Sequence, residues 1–320
     1  MNDHRSIQES LGDKTSKAHI DAKYHCYSAY GSTIRSRIRC PELSPGFGTP
    51  DVTIDYDTLA APILGGAKAK NGWPQAAPGR LLITWEGGRY LVLEGSSILV
   101  DPAPQVADEV VRLILLESAF PALLHQRGLL SLHGSTVKVG QGCIVFLGDS
   151  ASGKSTIAAA LKQRGYPVLA DEISAVSLNN PDQPEVLPAY PQLNLWPDAL
   201  EILGEERLAF RPVRSRLQKF ALPLGDAFYD RPLPLRAIYV LRAINVDTFA
   251  LEKFRGAEKM EQLIAHTHQW SFLKELGLLK NHFEMCAKVA NLTPMKLACH
   301  PKATSALQKF IDLVEKDFSE

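Results

Sequence analysis

The first third of the chain alternates short apolar runs with polar turns. Runs rich in apolar and β-branched residues occupy positions 33–40, 51–55, 80–87, 89–95 and 96–101, and segments rich in Gly and Pro separate several of them. This pattern predicts a small β-rich N-terminal domain over residues 23–105. Residues 1–22 are hydrophilic and predict a flexible tail.

After residue 105 the pattern mixes helices with strands. Apolar positions at helical spacing predict a helix over residues 106–127, which Pro121 should kink or split. Two strands joined around residues 140–142 come next, followed by a glycine-rich loop and an alanine-rich helix that stops at Gly165. Residues 167–178 read as a strand pair with an acidic dipeptide in the middle.

The remainder of the chain is less regular. Residues 180–234 predict loops with short elements, whereas residues 236–244 and 248–254 have the composition of strands. Residues 256–320 predict several helices. The sequence therefore indicates an α/β catalytic domain over residues 106–320 with a helical C-terminal part, and it leaves open whether the sheet is wholly parallel.

Composition and charge exclude several partners. Hydrophobic residues make up 45% of the chain and charged residues 22%, as in ordinary globular proteins. Lys and Arg total 35 and so do Asp and Glu, so no global basic field points to nucleic acid or an anionic membrane. The polar N-terminus and the absence of an apolar run of about 18 residues predict a cytoplasmic protein without a membrane partner.

The cysteines give no sign of a metal or disulfide framework. There are five, scattered and without a CxxC pair, so we expect reduced thiols and no structural zinc. The adjacent Cys299 and His300 are conceivable metal ligands. Two neighbouring residues do not build a tetrahedral site alone, however, which favours an ordinary structural role.

The strongest motif is GDSASGKS at residues 148–155. It fits the G-x-x-x-x-G-K-[ST] pattern of a phosphate-binding loop, between an apolar strand and a helix whose unpaired N–H groups favour anions. Lys154 would meet the β- and γ-phosphates, and Ser155 or, less favourably, Thr156 would offer a hydroxyl to Mg²⁺. The alternative is a glycine turn with an exposed Lys. We expect ATP and Mg²⁺ as cofactors, with the nucleotide bound by Gly148, Asp149, Ser150, Ala151, Ser152, Gly153, Lys154, Ser155 and Thr156.

An acidic pair follows the loop at a suitable distance. A kinase needs a carboxylate for the metal and a group that orients the attacking hydroxyl, and Asp171 and Glu172 are the candidates. Side chains alternate along a strand, so only one of the two faces a given site unless the strand ends or bulges there; we favour Asp171. In the alternative interpretation Asp171 only ends a strand or caps a turn.

Three segments together resemble a known family. HGS at 133–135, GDSASGKS at 148–155 and VLADE at 168–172 resemble the catalytic domain of the bacterial HPr kinase/phosphorylase family, over roughly residues 125–180. The resemblance implies a P-loop kinase fold in which His133 and the acidic pair surround the nucleotide. It implies that Asp171 is the base toward a serine hydroxyl and that Ser155, Asp171 and Glu172 serve the metal. It also implies a homo-oligomer.

The departures from that family matter too. Its second acid is Asp where this chain has Glu172, and its glycine-rich signature after the acidic pair is missing; PAYPQLNLWPDAL stands at 188–200 instead. This segment, with YSAYGSTIRS at 27–36, LLHQRGLLSLHGS at 123–135 and GAEKMEQLIAHTH at 256–268, looks like the related kinases of peptide-modifying gene clusters. Some of these are similar to lasso-peptide tailoring kinases, which implies transfer to the C-terminal serine of a precursor peptide.

Three functions remain open on the sequence. The preferred one is a kinase acting on a peptide or protein serine, with an HPr-type carrier protein as the alternative acceptor; the others are a small-molecule kinase and a nucleotide switch. A basic stretch with Arg211, Arg214, Arg216 and Lys219 could stabilise transferred charge or form a solvated face. His266, Thr267 and His268 beside Trp270 could line a peptide groove or pack at a helix end.

Overall fold

The computed structural model describes residues 23–59, 75–85, 87–206, 210–214, 217–246, 248–302 and 304–319. The tail predicted at residues 1–22 lies outside them. The described strands form two sheets of eight strands and one of three, and the described helices pack around them, so the chain is mixed α/β as predicted. None of the helices in these ranges is long and apolar enough to cross a membrane.

The first sheet contains the strands predicted near the N-terminus. Its members are β1 (His25–Ala29), β2 (Ser32–Ser36), β3 (Ser44–Pro45), β4 (Val52–Tyr56), β5 (Gln75–Ala77), β6 (Arg80–Trp85), β7 (Gly88–Leu93) and β8 (Ser97–Pro102). The strand order is β3-β1-β2-β4-β8-β7-β6-β5. Tyr30 and Ile34 of this part share one buried cluster with Leu130 and Val145 of the next sheet. The domain boundary at residue 105 therefore stays a prediction.

The predicted helix after residue 105 is split at its proline. It consists of α1 (Asp108–Ile114), a π-helical turn (Leu115–Ala119) and α2 (Phe120–Gln126). Pro121 lies in the first turn of α2, where its missing N–H and bulky ring prevent a regular α-helical bond to the preceding turn. The N–H of Phe120 reaches back five residues to the carbonyl of Leu115 instead, which explains the π-helical geometry.

The remaining strands form the second and third sheets. They are β9 (Leu130–Val139), β10 (Gly142–Leu147), β11 (Val168–Ala170), β12 (Ile173–Ser177), β13 (Glu185–Leu187), β14 (Gln192–Leu195), β15 (Arg211–Arg214), β16 (Leu217–Pro223), β17 (Leu233–Ile244), β18 (Ala250–Lys253) and β19 (Met295–Pro301). The remaining helices are α3 (Lys154–Gln163), α4 (Pro197–Ile202), α5 (Ala257–Ala265), α6 (Trp270–Glu275), α7 (Leu279–Leu292) and α8 (Leu307–Ser319).

The second sheet has the order β10-β9-β12-β13-β17-β19-β18, with β11 on β9. Strand β10 also pairs with β17, so β10, β9, β12, β13 and β17 form a closed ring. The β10–β17 and β17–β19 pairs are parallel and the others antiparallel, which answers the question that the sequence left open. The prediction that residues 256–320 are helical is wrong for β19, whose pairing partner lies far away in the sequence.

The third sheet, in the order β14-β16-β15, occupies much of the segment that we predicted as loops with short elements. One buried cluster joins it to α3 and to the second sheet; its members include Phe146, Leu161, Leu193 and Leu222. Helix α3 is thus packed between the second sheet, whose strand β10 leads into the glycine-rich loop, and the third sheet, whose strand β16 carries Lys219. This packing fixes the N-terminus of α3 against both.

Candidate functional site

The glycine loop, residues 148–153, connects the buried strand β10 to α3. Gly148 has φ 146° and Gly153 has φ 94°, both in the region that favours glycine. A Cβ on Gly148 would lie 2.5 Å from the hydroxyl oxygen of Ser152 and 2.9 Å from the carbonyl oxygen of Leu241. Ala151 also has a positive φ, of 63°. The loop is therefore tightly turned, and it leads directly into the N-terminus of a helix, where N–H groups favour an anion.

Lys154 is buried over the loop that precedes it. Its Nζ donates hydrogen bonds to the carbonyl oxygens of Gly148, at 2.8 Å, and Asp149, at 2.9 Å. Burial lowers the pKa of this ammonium group, although the charges of the acidic pair oppose the shift. The hydroxyl of Ser152 is buried without a hydrogen-bond partner in the described residues. A buried cation and an unpaired polar group beside open backbone N–H groups fit a phosphate.

The acidic pair lies at a break between two strands. Strand β11 ends at Ala170, β12 begins at Ile173, and Glu172 has φ 63°. The predicted pair of strands is confirmed. Because the strand stops at this point, the alternation that would send the two side chains to opposite faces does not apply.

Asp171 is fully enclosed by hydrogen-bond donors. Its Oδ1 accepts hydrogen bonds from the hydroxyls of Ser135, at 2.6 Å, and Ser155, at 2.9 Å, and its Oδ2 accepts one from the backbone N–H of Asn194, at 2.9 Å. Burial and the charge of Glu172 raise the pKa of this carboxyl, whereas the three donors oppose the rise. Both oxygens of Asp171 are therefore engaged, one of them by the loop serine.

Glu172 forms an ion pair with Lys219 of β16. Lys219 also lies over the ring of Trp196, with its Nζ 5.7 Å from the ring centroid. Burial alone would lower the pKa of Lys219, but the charge and hydrogen bond of Glu172 outweigh it and the pKa is raised. Lys219 is thus a cation at neutral pH, held beside the acidic pair.

His133 supports the backbone of the acidic pair. Its Nδ1 lies 3.1 Å from the carbonyl oxygen of Glu172, and its ring centroid lies 5.6 Å from that of His268. Burial, together with the charges of Lys154 and Lys219, lowers the pKa of His133 to about 4. The ring is therefore neutral at neutral pH, and Nδ1–H donates to the carbonyl in the tautomer that this contact requires.

These groups converge on one cavity of about 110 Å³. From the loop and α3 it is lined by Ser150, Ala151, Gly153, Lys154, Ser155 and Thr156, and from the other elements by residues that include His133, Glu172, Asn194, Trp196 and Lys219. Gly148, Asp149, Ser152 and Asp171 are not among the lining residues, and Asp149 is exposed to solvent. The pair of Ser155 and Asp171 offers Mg²⁺ the oxygen donors that it prefers.

Sequence reasoning missed part of this site. Asn194 and Trp196 belong to a segment predicted as loop, and Lys219 was not separated from the basic stretch around it. The segment LQKFALP around Lys219 has no strand signal of its own, because its polar and apolar residues do not alternate. The side chains of Arg211, Arg214 and Arg216 lie outside the described side chains.

Two other sequence candidates lie next to the site without lining it. The Nε2 of His300 lies 3.2 Å from the carbonyl oxygen of Ser152, so this residue contacts the back of the glycine loop. His268 is buried against His133, while Thr267 donates a hydrogen bond to the carbonyl of Leu263. Among the residues that the structure describes, no group of three or more His, Cys, Asp or Glu could hold a metal ion without other donors.

The comparisons with known proteins give matches among solved structures only. Neither a protein-family model nor a curated protein matches this chain. A solved structure, the HPr(Ser) kinase/phosphatase from Coxiella burnetii, is similar to it with a TM-score of 0.33 and 10% sequence identity, over 59% of this chain and 97% of that chain.

Proposed function

We propose that this protein transfers the γ-phosphoryl group of ATP to a hydroxyl of a peptide or protein. The observation that carries the proposal is the cavity in which the glycine loop, Lys154, Glu172 and Lys219 meet. Phosphoryl transfer needs mainly positioning and charge stabilisation, which a buried cation, loop N–H groups and a second cation supply. The carboxylate of Glu172 in the same cavity can accept the proton of an acceptor hydroxyl.

The residues fit a magnesium nucleotide. Ser155 and Asp171 would hold the ion, because a hydroxyl and a carboxylate already lie 2.9 Å apart at the start of α3. When bound, Mg²⁺ neutralises charge on the β- and γ-phosphates. Lys154 would exchange its two carbonyl partners for phosphate oxygens, which are the stronger acceptors for an ammonium group.

The geometry favours different roles for the two acids. Asp171 has both oxygens engaged and does not line the cavity, whereas Glu172 lines it beside Lys219. We therefore assign metal binding to Asp171 and the acceptor hydroxyl to Glu172, which reverses the roles that the family resemblance implies. The hydroxyl oxygen forms the new bond to the γ-phosphorus, the bond from that phosphorus to the bridging oxygen breaks as ADP leaves, and the hydroxyl proton passes to Glu172.

Lys219 and His133 complete the arrangement as supporting groups. The ammonium group of Lys219 pairs with Glu172 and can instead contact the transferred phosphoryl group, whose negative charge it would stabilise. His133 is neutral and positions Glu172 through the backbone carbonyl of that residue, so it acts as a positioning residue. Neither role requires the imidazole to exchange a proton during the reaction.

The proposed acceptor class is a peptide or protein. The finest form of the proposal, transfer to the C-terminal serine of a lasso precursor peptide by a homo-oligomer, is supported only by the sequence resemblance. A direct test measures ADP release with a pool of serine-containing peptides and with a matched pool in which every hydroxyl residue is Ala. We expect ADP release to depend on Mg²⁺ and on the hydroxyl pool; equal release with both pools would overturn the peptide-kinase proposal.

A further inference from the structure

His300 connects strand β19 to the glycine loop. It lies near the end of β19, and its Nε2 is 3.2 Å from the carbonyl oxygen of Ser152. Its side chain points away from that of Cys299, because successive side chains along a strand face opposite sides of the sheet. The two neighbours therefore do not form a shared metal site, and the contact that His300 makes in this direction is with the loop.

The ring of His300 is held on three sides. Its centroid lies 4.8 Å from that of Phe310, a buried residue of α8. Its Nδ1 lies 2.9 Å from the carbonyl oxygen of Pro301, and its Nε2 faces the carbonyl oxygen of Ser152. A carbonyl oxygen only accepts hydrogen bonds, so a proton on Nε2 makes the second contact a hydrogen bond. The ring then holds the Ser152 carbonyl in one direction.

The carbonyl of Ser152 belongs to the same peptide unit as the N–H of Gly153. In a trans peptide unit these two groups point in opposite directions. The carbonyl points at His300, so the N–H points to the other side of the loop, where Gly153 lines the cavity of the candidate site. In the described part of the chain, this N–H donates to no backbone carbonyl. It is therefore available to a phosphate oxygen.

The glycine makes this peptide unit easy to turn over. Gly153 has φ 94°, and a residue without a Cβ adopts φ values of either sign at similar cost. A half-turn of the peptide unit would exchange the two groups, so that a carbonyl oxygen instead of an N–H would face the phosphates. The hydrogen bond from His300 opposes that half-turn, because it would be broken by it.

We propose that His300 is a positioning residue for nucleotide binding, which holds the Ser152 carbonyl away from the site and so directs the N–H of Gly153 at a phosphate. The inference rests on the proposed function and adds to it a residue that does not touch the nucleotide. Loss of one hydrogen bond of ordinary strength lowers an equilibrium constant by about two- to tenfold, which sets the size of the expected effect.

Two amide variants test which ring nitrogen matters. The side-chain N–H group of Gln reaches about as far as Nε2 of histidine, whereas that of Asn reaches only about as far as Nδ1. His300→Asn should therefore weaken ATP binding by about three- to tenfold, and His300→Gln should stay within about twofold of the wild-type affinity. Equilibrium titration of the full-length protein with ATP and Mg²⁺ measures both. Urea titrations show whether each variant is folded under the conditions of the binding experiment.

A measurement on the wild-type protein needs no substitution. Nitrogen NMR of histidine-labelled protein should show that Nε2 of His300 carries a proton, and an unprotonated Nε2 would overturn the proposal. Equal affinities of wild type and both variants, or a loss in His300→Gln as large as that in His300→Asn, would also overturn it while leaving the kinase proposal standing. If the wild-type protein does not bind ATP with Mg²⁺, the proposed function fails and this inference fails with it.

Discussion

The hydroxyl of Ser155 donates a hydrogen bond to Asp171 across 2.9 Å, although the two residues are 16 positions apart in the sequence. The bond joins the first turn of α3 to the end of β11. Ser135 of β9 donates to the same carboxylate oxygen at 2.6 Å, so three elements meet at one acid. The two groups that would bind Mg²⁺, the hydroxyl of Ser155 and the carboxylate of Asp171, are therefore already in contact in the fold.

Replacing Lys154 should separate function from stability. Lys154→Met keeps the length of the side chain but removes the charge, so ATP binding and phosphoryl transfer should be lost. The pKa of Lys154 is lower in the fold than the ordinary value because burial disfavours the ammonium form, so at neutral pH the buried charge costs stability. The variant should have at least the wild-type free energy of unfolding in urea titrations. A large drop in that free energy would show that Lys154 is mainly structural.

The two acids should give different kinetic losses. Asp171→Asn should weaken Mg²⁺-dependent ATP binding by about tenfold or more, because it removes the negative charge of a metal ligand. Glu172→Gln should lower kcat by about 10² to 10⁴ while ATP affinity stays close to wild type. Calorimetry of ATP binding and initial rates of transfer measure both. The reverse pattern would restore Asp171 as the group that faces the acceptor.

Gly148 should not tolerate a side chain. Gly148→Ala would place a Cβ 2.5 Å from the Ser152 hydroxyl and 2.9 Å from a backbone carbonyl, which must displace the loop. We expect ATP affinity to fall sharply in equilibrium binding. Gly165→Ala is the matched control, because Gly165 also has a positive φ, of 91°, but a Cβ there has open space. The control should lower stability by about 1 to 2 kcal/mol and leave ATP affinity unchanged; equal effects on affinity would contradict the geometric argument.

Buried histidines should make the fold sensitive to mild acid. Burial lowers the pKa of His125 to about 4 and that of His268 to about 3, and neighbouring His133 and His282 have pKa values lowered to about 4. An unfolded chain takes up these protons near pH 6.5, so stability should fall as the pH drops from about 6.5 toward 4. Each such histidine adds a slope of up to about 1.4 kcal/mol per pH unit.

Urea titrations over this pH range measure the slope. His268→Gln removes one of the titrating groups, so the number of protons taken up on unfolding should fall by about one. The slope of the unfolding free energy against pH should decrease accordingly, whatever the effect of the substitution at neutral pH. A variant with the wild-type slope would mean that His268 does not stay neutral in the fold.

The sequence predicted the elements whose signals are local. The glycine loop, the paired strands on either side of residues 140–142, the helix that follows the loop and the break at Asp171 and Glu172 all depend on neighbouring residues. Pro121 marked the interruption of the helix before them. These features fix where the candidate nucleotide site lies along the chain.

The parts that the sequence did not predict depend on distant partners. Strand β19 is a parallel partner of β17 and follows helix α7, so no hairpin signal announces it. The three-stranded sheet brings together residues on both sides of α4, and only this pairing places Asn194 and Lys219 at the site. The roles of the two acids likewise depend on which side chain the hydroxyls of Ser135 and Ser155 enclose.

The central claim is transfer of a phosphoryl group to a peptide or protein hydroxyl at this site, and mass spectrometry tests it most directly. Candidate precursor peptides and an HPr-like carrier protein are incubated with the protein, ATP and Mg²⁺, with Lys154→Met as the blank. We predict a mass gain of one phosphate, about 80 Da, on a hydroxyl residue of a peptide or of the carrier in the wild-type reaction and none in the blank. No gain on either class of acceptor, or the same gain in the blank, would contradict the claim.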